Sequence, residues 1–250
     1  MEGALSLAIP YFYLAHVMVV AIRVGSALLF APIWGYPGIP STFRILLVFA
    51  LSVGIAAVVP VNPAIYQNPG LAIPSEFLIG MLLTMSIRIA FAGLHMGGQL
   101  LSYYLGFSQV QTIDPNTQNR STLMSGFLSL LGYVLILASD QHHAMLRAIT
   151  SSYSVFPMGS VIQTSQWFSA LVNATSQIFV IGWRIALPVF VATLLVEVTV
   201  GLVSRSQPQL SSMIVTAPLK LLIGVTVLGA SLSFFPRVFE AAMNMQILHK

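Results

Sequence analysis

Six apolar stretches, parted by short polar or proline-rich breaks, dominate the pattern along this chain. They cover approximately residues 11–33, 43–60, 76–105, 123–138, 166–203 and 213–236. Most approach the ~20 residues that a helix needs to cross ~30 Å of hydrocarbon. The runs are too long for strands and lack period-two alternation, so strands are not expected. The pattern predicts an all-α fold, a polytopic membrane bundle of about six kinked hydrophobic helices in one membrane domain over residues 1–250. The stretch 166–203 is too long for one straight span and is better split, with its more apolar part near 178–203. The stretch 123–138 is short for a span.

Turn chemistry marks the breaks. Pro32-Ile33-Trp34-Gly35-Tyr36-Pro37-Gly38-Ile39-Pro40 is a stiff interruption, and the segment from Pro60 through Asn68-Pro69-Gly70 to Pro74 is another. Ser75 is placed to cap the next helix, with Glu76 favourable at its positive end. Asp140 is placed to cap a short helix over 141–152, which Phe156-Pro157-Met158-Gly159 closes. Pro188 and Pro218 fall inside apolar runs. Each removes a backbone donor and predicts a helix kink, which membrane bundles tolerate when neighbours satisfy the freed carbonyl.

Composition sharpens this picture. Hydrophobic residues make up 57% of the 250 and charged residues 6%, against about 25% charged in an ordinary soluble domain. So few charges cannot cover a globule, and most of the exterior must face lipid or apolar protein. Ten Lys and Arg give a net charge of +4, but they are spread singly, which excludes a nucleic-acid surface. There are no cysteines, so disulfides, thiolate metal sites and cysteine nucleophiles are excluded. The N-terminal run carries Glu2 and no early basic residue and continues past the length of a signal-peptide core. It reads as a retained first span. Arg44 and Arg120 lie in alternate loops, but Arg147, Arg205, Arg237 and Lys250 do not fit one alternating scheme, so charge does not fix the orientation.

Arg23, Arg88, Arg184, Glu197 and Lys220 interrupt otherwise apolar stretches. A charge at mid-membrane costs about 2.5–3.5 kcal/mol on insertion scales. Such groups therefore pair, face protein or water, or snorkel to the headgroups. For Arg88 and Lys220 snorkelling and a subunit interface both remain open. Glu197 is too short to snorkel far, which favours an interior or interface position. Gly201 and Arg205 follow it at i+4 and i+8 on one helix side. Gly93 and Gly97, followed by Gly98, form a small-xxx-small pattern that lets helix backbones approach closely.

Little in the chain reads as reactive chemistry. Asp140, His142 and His143 are the nearest approach to a metal or acid–base cluster. Adjacent histidines on a helix diverge by about 100°, whereas zinc-type pairs use i, i+4, so capping and interfacial packing are the expected roles. No nucleotide-binding, zinc-protease or nucleophile-elbow motif occurs in usable context. The expectation is no enzyme, no cofactor and no metal. A small-molecule or ion transporter is the runner-up, but internal repeats and clustered mid-membrane charges are not visible.

The order of landmarks carries a resemblance. The run Arg23…Pro32-Ile33-Trp34-Gly35…Pro37…Ile39-Pro40…Arg44 resembles the N-terminal pattern of the FliR family. Glu76-Phe77-Leu78-Ile79-Gly80, Gly97, Gly106 and Asp114-Pro115 follow in the family's order. His142-His143…Ser152-Tyr153…Phe156-Pro157-Met158-Gly159 is similar to its short amphipathic helix and Pro-x-Gly turn. Leu187-Pro188…Gly201…Arg205…Gln207-Pro208-Gln209-Leu210…Pro218-Leu219-Lys220…Gly224 is similar to its C-terminal signature. The family often has Gly-His where this chain has Gln141-His142, and Asn where Ser211 stands.

That resemblance implies a structural and gating subunit of the flagellar type III protein export gate, with a virulence type III apparatus as the alternative. It implies helical hairpins in a multi-subunit gate, with residues 1–175 a FliP-like part and 176–250 a FliQ-like hairpin. The implied partners are FliP, FliQ, FlhB and FlhA-type subunits and unfolded export substrates. The implied place is the bacterial inner membrane, at the flagellar basal body. It also implies a pore-plug loop at Gly106, Phe107, Gln109, Val110, Ile113, Asp114 and Pro115. Independently of the family, Phe107, Val110 and Ile113 recur three apart among polar residues, a pattern able to close a pore by dewetting. The implied subunit-interface or buried charges are Arg23, Arg88, Arg184, Glu197, Arg205 and Lys220.

Overall fold

A computed structural model of the chain describes residues 2–34, 38–61, 69–107, 111–113, 120–160, 164–206 and 212–243. The helices are α1 (Glu2–Phe30), α2 (Ser41–Ala56), α3 (Pro69–Tyr104), α4 (Leu123–Ala138), α5 (Gln141–Val155), α6 (Thr164–Ser206), α7 (Ser212–Ser231) and α8 (Phe235–Met243). Each of the six apolar stretches is helical, as the pattern predicts. Three helices hold apolar windows long enough to cross a membrane, Tyr13–Phe30, Thr175–Arg205 and Thr216–Phe239. The number rises to five when residues 70–104 and residues 123–155 each count as one broken span.

Four local expectations are corrected. Ser75 does not cap α3, which starts at Pro69 and carries Pro74 inside it. Proline suits the first helical position because its missing donor would be unpaired there anyway. The Ser75 hydroxyl donates back to the Ala72 carbonyl at 2.8 Å instead. Asp140 does precede α5, but in a left-handed conformation with φ 53° and without a side-chain capping bond. The stretch 166–203 is not split, because α6 runs unbroken through Pro188 for 43 residues. Finally, Gln111–Ile113 pairs antiparallel with Arg120–Thr122, with Thr112 opposite Ser121. Three-residue strands at a loop are too short to register as alternation in the sequence.

The chain divides into two compact units. The first comprises Met1–Arg88, Ser139–Leu171 and Gln246–Lys250. Its core is a stripe on α1, with Val17, Val20, Val24, Ala27 and Leu28 recurring at helical spacing, packed with Met145, Ile149 and Tyr153 of α5. Leu47, Val48, Leu51 and Ile55 of α2 close it from another side. His16, fully buried, sets its Nε2 3.3 Å from the Ala56 carbonyl and 3.2 Å from that of Val59. As the N–H tautomer it donates to both and satisfies the open end of α2.

The second unit comprises Ile89–Ala138 and Val172–Met245. Glycines set its close approaches. A Cβ on Gly97 would lie 3.1 Å from the Gly182 carbonyl and 3.2 Å from the Ile185 side chain. One on Gly132 would lie 2.7 Å from Leu94. The Phe91 ring meets Tyr133 at 4.8 Å and Phe239 at 5.8 Å, so α3, α4 and α8 share one aromatic cluster.

Candidate functional site

Four of the ionisable residues inside the helices form two ion pairs, one in each unit. In the first unit Arg23 and Glu76 are both completely buried. Arg23 Nε donates to Glu76 Oε2 at 2.6 Å and Nη2 donates to Oε1 at 3.0 Å, a two-pronged guanidinium–carboxylate pair. The remaining nitrogen, Nη1, donates to Ser152 Oγ at 3.1 Å and to the Phe156 carbonyl at 3.0 Å. The Gly159 N–H donates to Glu76 Oε1 at 2.8 Å. Gly159 can present that N–H because it sits at φ 78°, a conformation L side chains avoid. The Arg23 guanidinium also lies 3.9 Å from the Tyr153 ring centre. One ion pair thus ties α1, α3, α5 and the Pro157–Gly159 turn together, and every polar atom of the pair has a partner. The landmarks Arg23, Glu76, Ser152-Tyr153 and Phe156 to Gly159, scattered in sequence, meet here.

In the second unit Lys220 of α7 donates to Glu197 of α6. The pair is more open, with the Lys220 side chain 21% and the Glu197 side chain 53% exposed. Gly201 has nothing within 4 Å of where a Cβ would stand, and Arg205 lies exposed in the last turn of α6. Glu197, Gly201 and Arg205 therefore form an open face of the unit. Arg184 is exposed and makes no ion pair among the described residues. In the first unit Arg88 reaches the Phe30 carbonyl at 3.4 Å, a cation closing the end of α1.

The pairing of Arg23 with Glu76, and of Lys220 with Glu197, escaped the sequence reading. One signal could have found it. The chain has only six acids, and those inside apolar runs cannot stay ionised without a cation.

Of the predicted plug residues, Gly106, Phe107 and Ile113 are described, while Gln109, Val110, Asp114 and Pro115 lie outside the described residues. Gly106 takes φ 81° just after α3, and the ribbon of residues 111–113 and 120–122 follows. Pro188 and Pro218 lie within α6 and α7. His142 and His143 occupy the opening turn of α5, and their rings lie 4.1 Å apart. His143 Nδ1 is 3.4 Å from the Asp140 carboxylate. Potential ligand atoms of the three residues fall within 4.8 Å of one another.

Large apolar side chains cover the outside. On α4, Ser125, Leu128, Gly132 and Ile136 are buried, while Leu130, Val134 and Leu137 on other faces are more than half exposed. The apolar window of α6 is 28% buried and that of α7 is 17% buried. A helix apolar on every side belongs in lipid or against other apolar protein.

Together these features define a polytopic helical membrane protein with a fully buried ion pair and apolar outer faces. The chain belongs to the FliR family of bacterial export proteins: the sequence model of "Bacterial export proteins, family 1" matches residues 14–245. The flagellar biosynthetic protein FliR of Caulobacter vibrioides is 30% identical over 216 residues, covering 84% of this chain and 86% of that protein. The proteins of that name from Pectobacterium carotovorum and Escherichia coli are 28% and 26% identical. Those two matches cover 88% and 90% of this chain, and 85% and 88% of the relatives.

Proposed function

We propose that this chain is a membrane subunit of a flagellar protein-export apparatus and helps to form and gate the pore that unfolded flagellar proteins pass through. Its role is structural. The observation that carries the reading is the run of similarity to flagellar relatives across nearly the whole chain, residues 14–245. The geometry supports it. Apolar faces on α4, α6 and α7 lack charged cover, and α2 is an apolar helix of 16 residues, about 24 Å long. That is short of the ~30 Å of hydrocarbon, so α2 is better covered by neighbouring protein than by a bilayer alone.

The partners in this reading are subunits of the FliP, FliQ, FlhB and FlhA types, in the inner membrane at the flagellar base. The residues 176–250 act as a FliQ-like hairpin, the residues 1–175 as the FliP-like part, and the segment 106–116 as a plug. A virulence apparatus would use the same surfaces, but the flagellar names of the relatives favour the flagellum.

The test is deletion and rescue in the native bacterium. Loss of the chain should abolish flagellar filaments and the export of filament protein, and the tagged chain should co-purify with the other gate subunits. A deletion strain that still assembles flagella, or a tagged chain that purifies alone as a solute carrier, overturns the reading.

A further inference from the structure

At the start of α5, Asp140, His142 and His143 bring a carboxylate and two imidazoles together. The export reading leaves all three unused. One potential ligand atom from each residue falls within 4.8 Å of the other two. The shortest measured edge runs from His143 Nδ1 to an Asp140 carboxylate oxygen, 3.4 Å. That is long for an N–H···O hydrogen bond, which spans ~2.7–3.2 Å. It suits two ligands of one tetrahedral ion, which stand about 3.3–3.6 Å apart when each is ~2.0–2.2 Å from the metal. The wider edges close by rotation of the exposed Asp140 and His143 side chains. Asp140 makes no side-chain capping bond to the helix it precedes. His142 Nδ1 is buried and has no hydrogen-bond partner among the described residues. A buried polar atom in that condition is costly and calls for an explanation. A plain surface ion pair between Asp140 and His143 supplies none. It accounts neither for the His142 ring lying 4.1 Å from that of His143 nor for the unpartnered nitrogen.

We propose that Asp140, His142 and His143 bind one divalent transition-metal ion of the zinc class. The donor set fixes that class. Imidazole suits zinc, copper, nickel and iron, whereas calcium and magnesium take oxygen ligands. With no thiolate in the set, nothing favours copper(I). Two nitrogens and one carboxylate are the protein ligands of an open zinc site, whose fourth position goes to water or to another donor. The open side is present here. The His143 side chain is 60% and the Asp140 side chain 75% exposed, so the ion is reachable from water. Imidazole neighbours repel one another once protonated, and a shared cation replaces that repulsion with two bonds. The ligands lie before and within the first turn of α5, so the ion clamps the turn from which that helix starts. The far end of α5 carries Ser152 to the Arg23 guanidinium. Metal that binds the folded turn therefore stabilises the first unit by mass action. The site needs only the fold of that unit, so it stands or falls separately from the export role.

The experiment uses the full chain in its native complex, purified on a tag without histidines, stripped with a chelator and dialysed against micromolar free zinc. Bound zinc is counted by elemental mass spectrometry per copy of this chain. The unaltered complex should hold one zinc ion per copy beyond what Asp140→Asn or His143→Gln retains, and each variant should bind at least tenfold more weakly. Both side chains are exposed, so the metal-free variants should melt with the metal-free parent. Zinc should then raise the melting midpoint of the parent alone. Cobalt(II) in place of zinc should give the visible absorption of a low-coordinate nitrogen–oxygen site, lost in His142→Gln. Equal zinc content in the parent and in both variants overturns the proposal. So does a parent complex that takes up no zinc, or a loss of zinc that only follows a loss of folded complex.

Discussion

Arg23 and Glu76, on α1 and α3, form a two-pronged ion pair with both side chains at zero exposure. The pair is neutral as a unit, but neither half is tolerable alone. Removing one partner of a buried pair typically costs about 3–5 kcal/mol, because the other charge stays behind without compensation. Glu76→Ala and Arg23→Ala should each lower the steady-state level of the chain in membranes and its thermal midpoint in the purified complex. Exchanging the two residues should not rescue it. Ser152, the Phe156 carbonyl and the Gly159 N–H are arranged for a donor at position 23 and an acceptor at position 76. Full rescue by the swapped pair in a melting experiment would show that charge balance alone suffices.

Glycines separate internal packing from external contact. A Cβ on Gly80 would overlap the Arg23 carbonyl and the Ser26 hydroxyl, whereas one on Gly201 would meet nothing within 4 Å. Gly80→Ala should cost about 1–3 kcal/mol, the usual range for overpacking, while Gly201→Ala should leave the chain's own fold untouched. If Gly201→Leu nevertheless reduces the yield of assembled complex, the open face of α6 is a contact surface. Normal assembly with Leu at 201 would count against that.

The pair of Lys220 with Glu197 is more exposed than that of Arg23 with Glu76. Breaking it should perturb the isolated chain less, since exposed pairs contribute little. Glu197→Ala is expected to weaken assembly with partner subunits more than it lowers the melting point of the chain. Co-purification yield measured beside thermal stability distinguishes the two effects, and equal losses in both would place the role of Glu197 inside the fold.

Residues 109–116 include Gln111–Ile113, one strand of the ribbon that follows α3. In the proposed gate their removal should leave the complex assembled but permeable to small ions, as read by conductance or dye entry. Unchanged permeability in a fully assembled complex would show that this segment does not plug the pore.

The helices were legible because hydrophobic length is written directly in composition, and all six apolar stretches became helices. Helix starts were less legible. Ser75 and Glu76 carry the signature of a helix opening, but the buried guanidinium of Arg23 claims Glu76, and the helix opens six residues earlier at Pro69. Charged interruptions singled out Arg23 and Glu197 as groups needing an environment, but pairing across 53 residues has no periodicity to read. The Asp140 turn was found at the right position with the wrong chemistry, since a left-handed backbone, invisible in sequence, decides where its carboxylate points.

The apolar window of α6 extends over 31 residues, Thr175–Arg205, about 46 Å as straight helix. Hiding all of it in ~30 Å of hydrocarbon would demand a tilt of about 50°, beyond the 0–40° that spanning helices adopt. Hydrophobic mismatch on that scale is not absorbed by adjusting to the bilayer, so part of the helix must be clad by polypeptide at a depth where water begins. Changing the thickness of the host membrane should therefore matter less to this helix than losing that cladding, and orphaned copies should be prime targets for membrane quality-control proteases.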